Sequence, residues 1–174
     1  MIAFLRQAAA ADRGAAAIEF ALIFPVIFVL NIAAAEAFQV YQVQRNVAHI
    51  AATMADITAQ ARTVTEEELQ DVLSASTSMI HPFPTTSLQQ RVSSLSANGS
   101  GDVSIDWTSK RTYSASGSPS VPSGYLGANE SVIVTDVIYD YRPTFGLFLP
   151  ETIRFSRKAY SRPRLTLRVE RVSE

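Results

Sequence analysis

A carboxylate at Glu19 stands about one helical turn inside an apolar run, residues 15–37, in which only Asn31 and Glu36 are otherwise strongly polar. A charged side chain in a membrane-spanning helix costs about 2.5–3.5 kcal/mol at the centre and less toward an end, so its presence there invites a functional account. Spacing supplies one. If the chain were cut after Gly14, the new amino group of Ala15 would lie four residues from Glu19, on the same helical face. The carboxylate could then neutralise its own amine or that of a neighbouring chain, and in a bundle of packed helices such pairing would set register between subunits. The plainer alternative is a membrane anchor in which Glu19 reaches water at the interface and has no further task.

The other reactive side chains suggest no chemistry. Cysteine is absent, which removes disulfides, thiolate metal sites and cysteine nucleophiles. His49 and His81 are the only histidines and do not stand in a metal-ligand spacing, and no phosphate-cradling glycine loop or nucleophile elbow is present. Asp102, Asp106, Asp136 and Asp140 occupy what read as outward positions of amphipathic strands, where carboxylates need no catalytic purpose. The sequence predicts no enzyme, no cofactor, no metal and no small-molecule substrate.

These residues need elements to position them. A chain of 174 residues, 47% apolar, suffices for one modest domain with an appendage. Its net charge of -1 gives no global reason to expect nucleic acid as a partner. Residues 15–37, at about 1.5 Å per residue, span roughly 35 Å, enough for a hydrocarbon core of about 30 Å. Arg6 and Arg13 precede the run, so the positive-inside tendency puts residues 1–14 in the cytoplasm and the bulk of the chain outside it. The small residues of "AAAEA" at 33–37 also leave open a signal peptide, although Asp12 and Arg13 interrupt the pattern. Pro25 removes one helical hydrogen bond and predicts a kink that packed neighbouring helices can absorb.

The stretch "RGAAAIEFALIFPVIF", with Gly14, then Ala15, and Glu19-Phe20 after it, resembles the opening of the TadE/TadG-like proteins of the Tad (Flp) pilus assembly system. The "AYSRPR" at 159–164 is a second, weaker resemblance. The resemblance implies a pseudopilin-like protein of the bacterial inner membrane. Gly14 would precede a prepilin-peptidase cut, Ala15 would be the new N-terminus, and Glu19 would serve export or assembly. Its implied partners are other Tad pilus pilins, assembly proteins, the prepilin peptidase and the inner membrane itself.

Beyond the span, Val40, Val43, Val47, Ile50, Met54, Ile57 and Ala61 continue an apolar stripe, so one helix to about Arg62 is predicted. The stripe reads as packing on the chain's own sheet, with a coiled-coil contact to another chain as the alternative. Thr65 and Glu68 form a capping box for a short second helix carrying Leu69, Val72, Leu73 and Ile80. Period-two alternation then predicts four strands, in "VSIDW", "SVIVTDVIYDY", "TIRFSRK" and "RLTLRVE", with an extra one around 88–95, forming an antiparallel sheet with one wet face. The Ser/Gly/Pro-rich segment 113–129 reads as a disordered connection or a presented loop. Phe145, Leu147, Phe148 and Leu149 concentrate in another loop, where burial against the long helix is the expectation.

Seven basic residues, Arg154, Arg157, Lys158, Arg162, Arg164, Arg168 and Arg171, crowd the C-terminal end. They read as a solvated face guarding strand edges, with Arg154, Arg157, Lys158, Arg162 and Arg164 as the candidate partner-binding set for an acidic protein patch, an anionic envelope polymer or extracellular DNA. The fold class expected is α+β: a cytoplasmic leader (1–14), a transmembrane helix (15–37), its extracytoplasmic continuation (38–62) and a pilin-like head (63–174). With the resemblance, the function expected is assembly of a Tad pilus for surface adhesion. Two alternatives stay open: an uncleaved, membrane-anchored envelope binding module, and a soluble periplasmic protein released by signal peptidase.

Overall fold

The computed structural model describes residues 12–173; the first eleven positions of the expected leader lie outside this range. Helix α1, Asp12–Ala59, runs for 48 residues and passes through Pro25 without ending. Its many alanines favour this continuity, and Gly14 and Pro25 are its only strong helix breakers. The helix ends slightly short of the expected Arg62. Gln60 and Ala61 donate their amides to the carbonyls of Ile57 and Thr58, tightening the last turn. Farther along the chain, the Arg164 amide bonds to the Ala59 carbonyl at 3.0 Å, satisfying one of the acceptors that a helix end leaves open.

A two-residue strand β1 (Thr63–Val64) leads into α2 (Glu66–Thr77). The capping box is present: Glu68 donates its amide to Thr65 Oγ1 at 3.1 Å, and Thr65 returns its amide to Glu68 Oε2 at 2.9 Å. Leu69 and Leu73 are buried, while Ile80 belongs to the 3-10 turn Ser78–Ile80 that follows rather than to α2 itself.

The sheet is antiparallel, four-stranded and ordered β3-β2-β4-β5, with β2 at Leu88–Ala97, β3 at Val103–Arg111, β4 at Ser131–Tyr141 and β5 at Ile153–Ser161. The extra strand anticipated at 88–95 is thus a central member. "RLTLRVE" does not join the sheet. Leu165 and Leu167 are exposed and only Val169 is buried, so the alternation has no apolar face to cover. Its backbone serves other elements instead: Ser131 Oγ donates to the Leu167 carbonyl, Trp107 Nε1 donates to that of Val169, and β6 (Glu170–Arg171) pairs in parallel with β1.

One face of the sheet packs on α1. Val43, Val47, Ile50, Met54 and Ala59 meet Leu88, Val92, Ile133, Val137 and Tyr139 in one core, with Val40 half-buried at its edge. Buried Thr135 adds a hydrogen bond from its hydroxyl to the Ala51 carbonyl at 2.7 Å. Ile57 falls off the stripe and is exposed, because at 3.6 residues per turn the buried line passes through Met54, Thr58 and Ala59.

The opposite face is only partly wet, with Arg154, Ser156 and Lys158 of β5 exposed on it. It carries a second small core of Leu95, Ala97, Leu126, Val132 and Val134. The 113–129 segment, expected as a disordered connection, is its cover. Asp136 is also buried on this side, against the expectation of an outward carboxylate, because Arg91 neutralises it. A register irregularity between Ser94 and Leu95 accounts for β3: Ser94 pairs with Trp107 while Leu95 pairs with Ile105, so Trp107 turns to the helix side and Val103 and Ile105 to the other.

Candidate functional site

The first half of α1 presents its apolar side chains outward on every side. Ile18, Phe20, Leu22, Phe24, Ile27, Phe28 and Leu30 are all exposed, and none of the most apolar stretch of the helix is buried by the rest of the chain. Length and composition suit it to cross a membrane, which is compatible with a membrane anchor. Gly14 and Ala15 lie near the start of the described helix, and Glu19 is exposed one turn beyond Ala15. Phe20, Phe24 and Phe28 stack along one face, with ring centroids 5.6 and 5.9 Å apart. This aromatic ridge was not singled out in the sequence, although its spacing of four residues was the available signal.

Of the residues expected to pack the helix, Val43, Val47 and Ile50 are buried against the chain's own sheet, and Pro25 lies in the exposed half. The helix therefore has two surfaces of different use. The boundary between them is marked by Glu36, 1% exposed, whose Oε1 accepts the Gly146 amide at 2.5 Å. Among the described residues its Oε2 meets no hydrogen-bond partner. One turn on, Gln39 Oε1 accepts from Tyr141 Oη at 2.7 Å and from Thr144 Oγ1 at 2.9 Å. Burial and the nearby Glu36 charge raise the Tyr141 pKa above its ordinary value, so its hydroxyl stays a donor.

The loop so held, residues 142–151, does not bury most of its apolar side chains on α1 as expected: Phe145, Leu147 and Phe148 are 53, 59 and 58% exposed, and only Leu149 of the four is half-buried. The hydrogen bonds reach its backbone and its polar members, which leaves the apolar ones facing out.

The basic C-terminal cluster is largely occupied within the chain. Arg154 clasps Asp140 with Nε and Nη2, at 2.6 and 2.8 Å. Lys158 lies 3.5 Å from Asp136, Arg162 2.9 Å from Glu130, Arg168 3.4 Å from Asp106 and Arg171 3.2 Å from Glu66, while Arg164 bonds to Asp56. Arg157 meets no carboxylate among the described residues; its Nη1 donates to the Ser156 carbonyl. The carboxyls feel this. Hydrogen bonds from Arg154 hold Asp140 below its ordinary pKa; the Gly127 amide and Arg162 do the same for Glu130. Burial pushes Glu66 up, but hydrogen bonds from Ser109 and Gln70 and the Arg171 guanidinium outweigh it and leave the group lowered.

His49 and His81 are both exposed, and among the described residues no three His, Asp or Glu side chains gather as metal ligands. Asn98 is a turn residue whose Oδ1 accepts the amides of Ser100 and Asp102.

Residues 14–56 match the model of a family described as TadE-like protein, consistent with the TadE/TadG-like resemblance of the N-terminal motif. The matched stretch comprises the exposed apolar half of α1 and most of the half that packs under the sheet. It suggests an association with a Tad pilus. No curated protein and no solved structure matches the chain.

Proposed function

We propose that this chain is a membrane-anchored, pseudopilin-like component of a Tad (Flp) pilus, with a structural rather than a catalytic role. Residues 1–14 form a cytoplasmic leader, residues 15–37 cross the inner membrane and pack against other pilins, and the head lies on the periplasmic side, where it contacts assembly proteins of the adhesive pilus. The observation that supports this best is the division of α1. The TadE-like match covers a helix whose first half leaves its apolar surface unused by its own chain, while its second half is the core of the head. Such a half-helix is suited to lipid and then to neighbouring helices of like kind. Gly14, Ala15, Glu19 and Phe20 supply the processing motif: a cut after Gly14 gives Ala15 an amine one turn from Glu19. The ridge of Phe20, Phe24 and Phe28 is a further packing surface. The internal pairing of Arg154, Lys158, Arg162 and Arg164 weighs against a basic ligand-binding strand.

The test is the intact mass and N-terminal sequence of the membrane-extracted protein, from strains with and without the prepilin peptidase. A peptidase-dependent start at Ala15 supports the reading. A start at Met1 in both strains leaves an uncut anchor, and a start near Glu36 makes the helix a signal peptide. Glu19→Ala should abolish pilus assembly while leaving the head folded; normal assembly by that variant would remove Glu19 from the mechanism.

A further inference from the structure

The loop between β4 and β5 lies at one particular level of the long helix. Its Gly146 amide reaches Glu36, and Thr144 reaches Gln39, so the loop is pinned where the exposed apolar half of α1 gives way to the packed half. Counted at about 1.5 Å per residue from Ala15, a hydrocarbon core of about 30 Å ends near Glu36. At that same level the helix exposes Phe38 and Tyr41, at 60 and 61%. Aromatic side chains concentrate at membrane–water interfaces, where their rings suit the headgroup region.

We infer that the 143–150 loop is a second membrane contact, with Phe145, Leu147 and Phe148 inserted into the interfacial zone of the outer leaflet beside the helix. This rests on the reading of residues 15–37 as a membrane span. Three apolar side chains of this size more than half exposed are costly in water, and the span brings the bilayer to them. Proline stands at each end of the loop, at Pro143 and Pro150, and exposed Arg142 adjoins it, a basic group placed for lipid phosphates. Glu36 and Gln39 fix the loop's depth through its backbone and polar groups, so the apolar tips remain free to enter lipid. The head would then stand on the bilayer at two points, the helix and the loop, which restrains its tilt.

The absence of cysteine permits a direct test on the full chain. Single variants Leu22→Cys, Phe148→Cys and Ser100→Cys, each carrying a nitrobenzoxadiazole fluorophore, are reconstituted in phosphatidylcholine vesicles with doxyl-labelled lipids. The label at 148 should be quenched several-fold more than that at 100, most strongly by doxyl groups close to the headgroup, with the label at 22 quenched from deeper positions. A label at 148 as accessible to water as that at 100, with 22 quenched, overturns the loop contact alone. Protection at 148 that grows with protein-to-lipid ratio means a second copy covers the loop and overturns it too. Absence of quenching at 22 removes the span, and the loop contact with it.

Discussion

Arg91 Nε and Nη2 both donate to Asp136 Oδ2, at 3.0 and 2.7 Å, across two central strands on the face turned away from α1. The remaining arm of the guanidinium, Nη1, donates to the Gly117 carbonyl at 2.6 Å, and the Tyr113 ring lies 4.4 Å from the guanidinium carbon. One cation thus neutralises a buried carboxylate and fastens the long loop over the second core.

Arg91→Ala is expected to destabilise the head by about 3 kcal/mol, because Asp136 stays buried with only the half-exposed Lys158, 3.5 Å away, to offset its charge. Replacing both partners, Arg91→Met with Asp136→Leu, should recover much of this loss while the 113–129 segment still exchanges amide hydrogens faster than in the parent. Denaturant midpoints and hydrogen exchange together check both statements.

Glu36→Ala removes the acceptor for the Gly146 amide but leaves the Gln39 bonds in place. The expected outcome is faster exchange and proteolysis confined to residues 142–151, with little change in the sheet. Limited proteolysis in detergent measures it, and a uniform loss of protection throughout the head would contradict a local latch.

Ile50 is fully buried at the centre of the helix–sheet contact, so Ile50→Ala should cost about 2–5 kcal/mol. The same truncation at Ile57, which the sequence alone ranks equally, should cost far less because that side chain is 48% exposed. Chemical denaturation of the two variants in one detergent gives the comparison.

Asp140, Glu130 and Glu66 each have a lowered carboxyl pKa in the folded head. The unfolded chain binds more protons at these groups on acidification, so their contribution is complete above the unfolded pKa of about 4 and is lost as pH falls through the lower folded values. Stability should therefore decline below about pH 4. Asp140→Asn should make that decline shallower, as a series of denaturation curves between about pH 5 and pH 2.5 can establish.

Local signals were legible wherever chemistry is local. The capping box of Thr65 and Glu68, the apolar stripe from Val43 to Met54, and the alternation in β4 and β5 all appear in the fold at the places their spacing implies. What escaped depends on partners distant in sequence. Asp136 reads as an outward strand carboxylate until Arg91, 45 positions away, faces it across the pair. The 113–129 segment has the composition of a mobile linker, and only the apolar second face of the sheet gives Leu126 somewhere to go. "RLTLRVE" alternates as a strand does, but its Leu165 and Leu167 find no apolar face to cover, and its backbone closes the end of α1 instead. The TadE-like match was legible because the apolar run and the spacing from Gly14 to Phe20 are written in contiguous residues.

No loop intervenes between Leu30 in the exposed half of α1 and Val43 in the core of the head. The two halves are one lever. A rotation of the outer half about its axis carries the sheet with it, so any contact that fixed the azimuth of Phe20, Phe24 and Phe28 would also set the direction in which the β3 and β5 edges of the head face. Axial pull on the apolar half would reach the packing of Val43, Val47 and Ile50 directly, with no slack segment to absorb it.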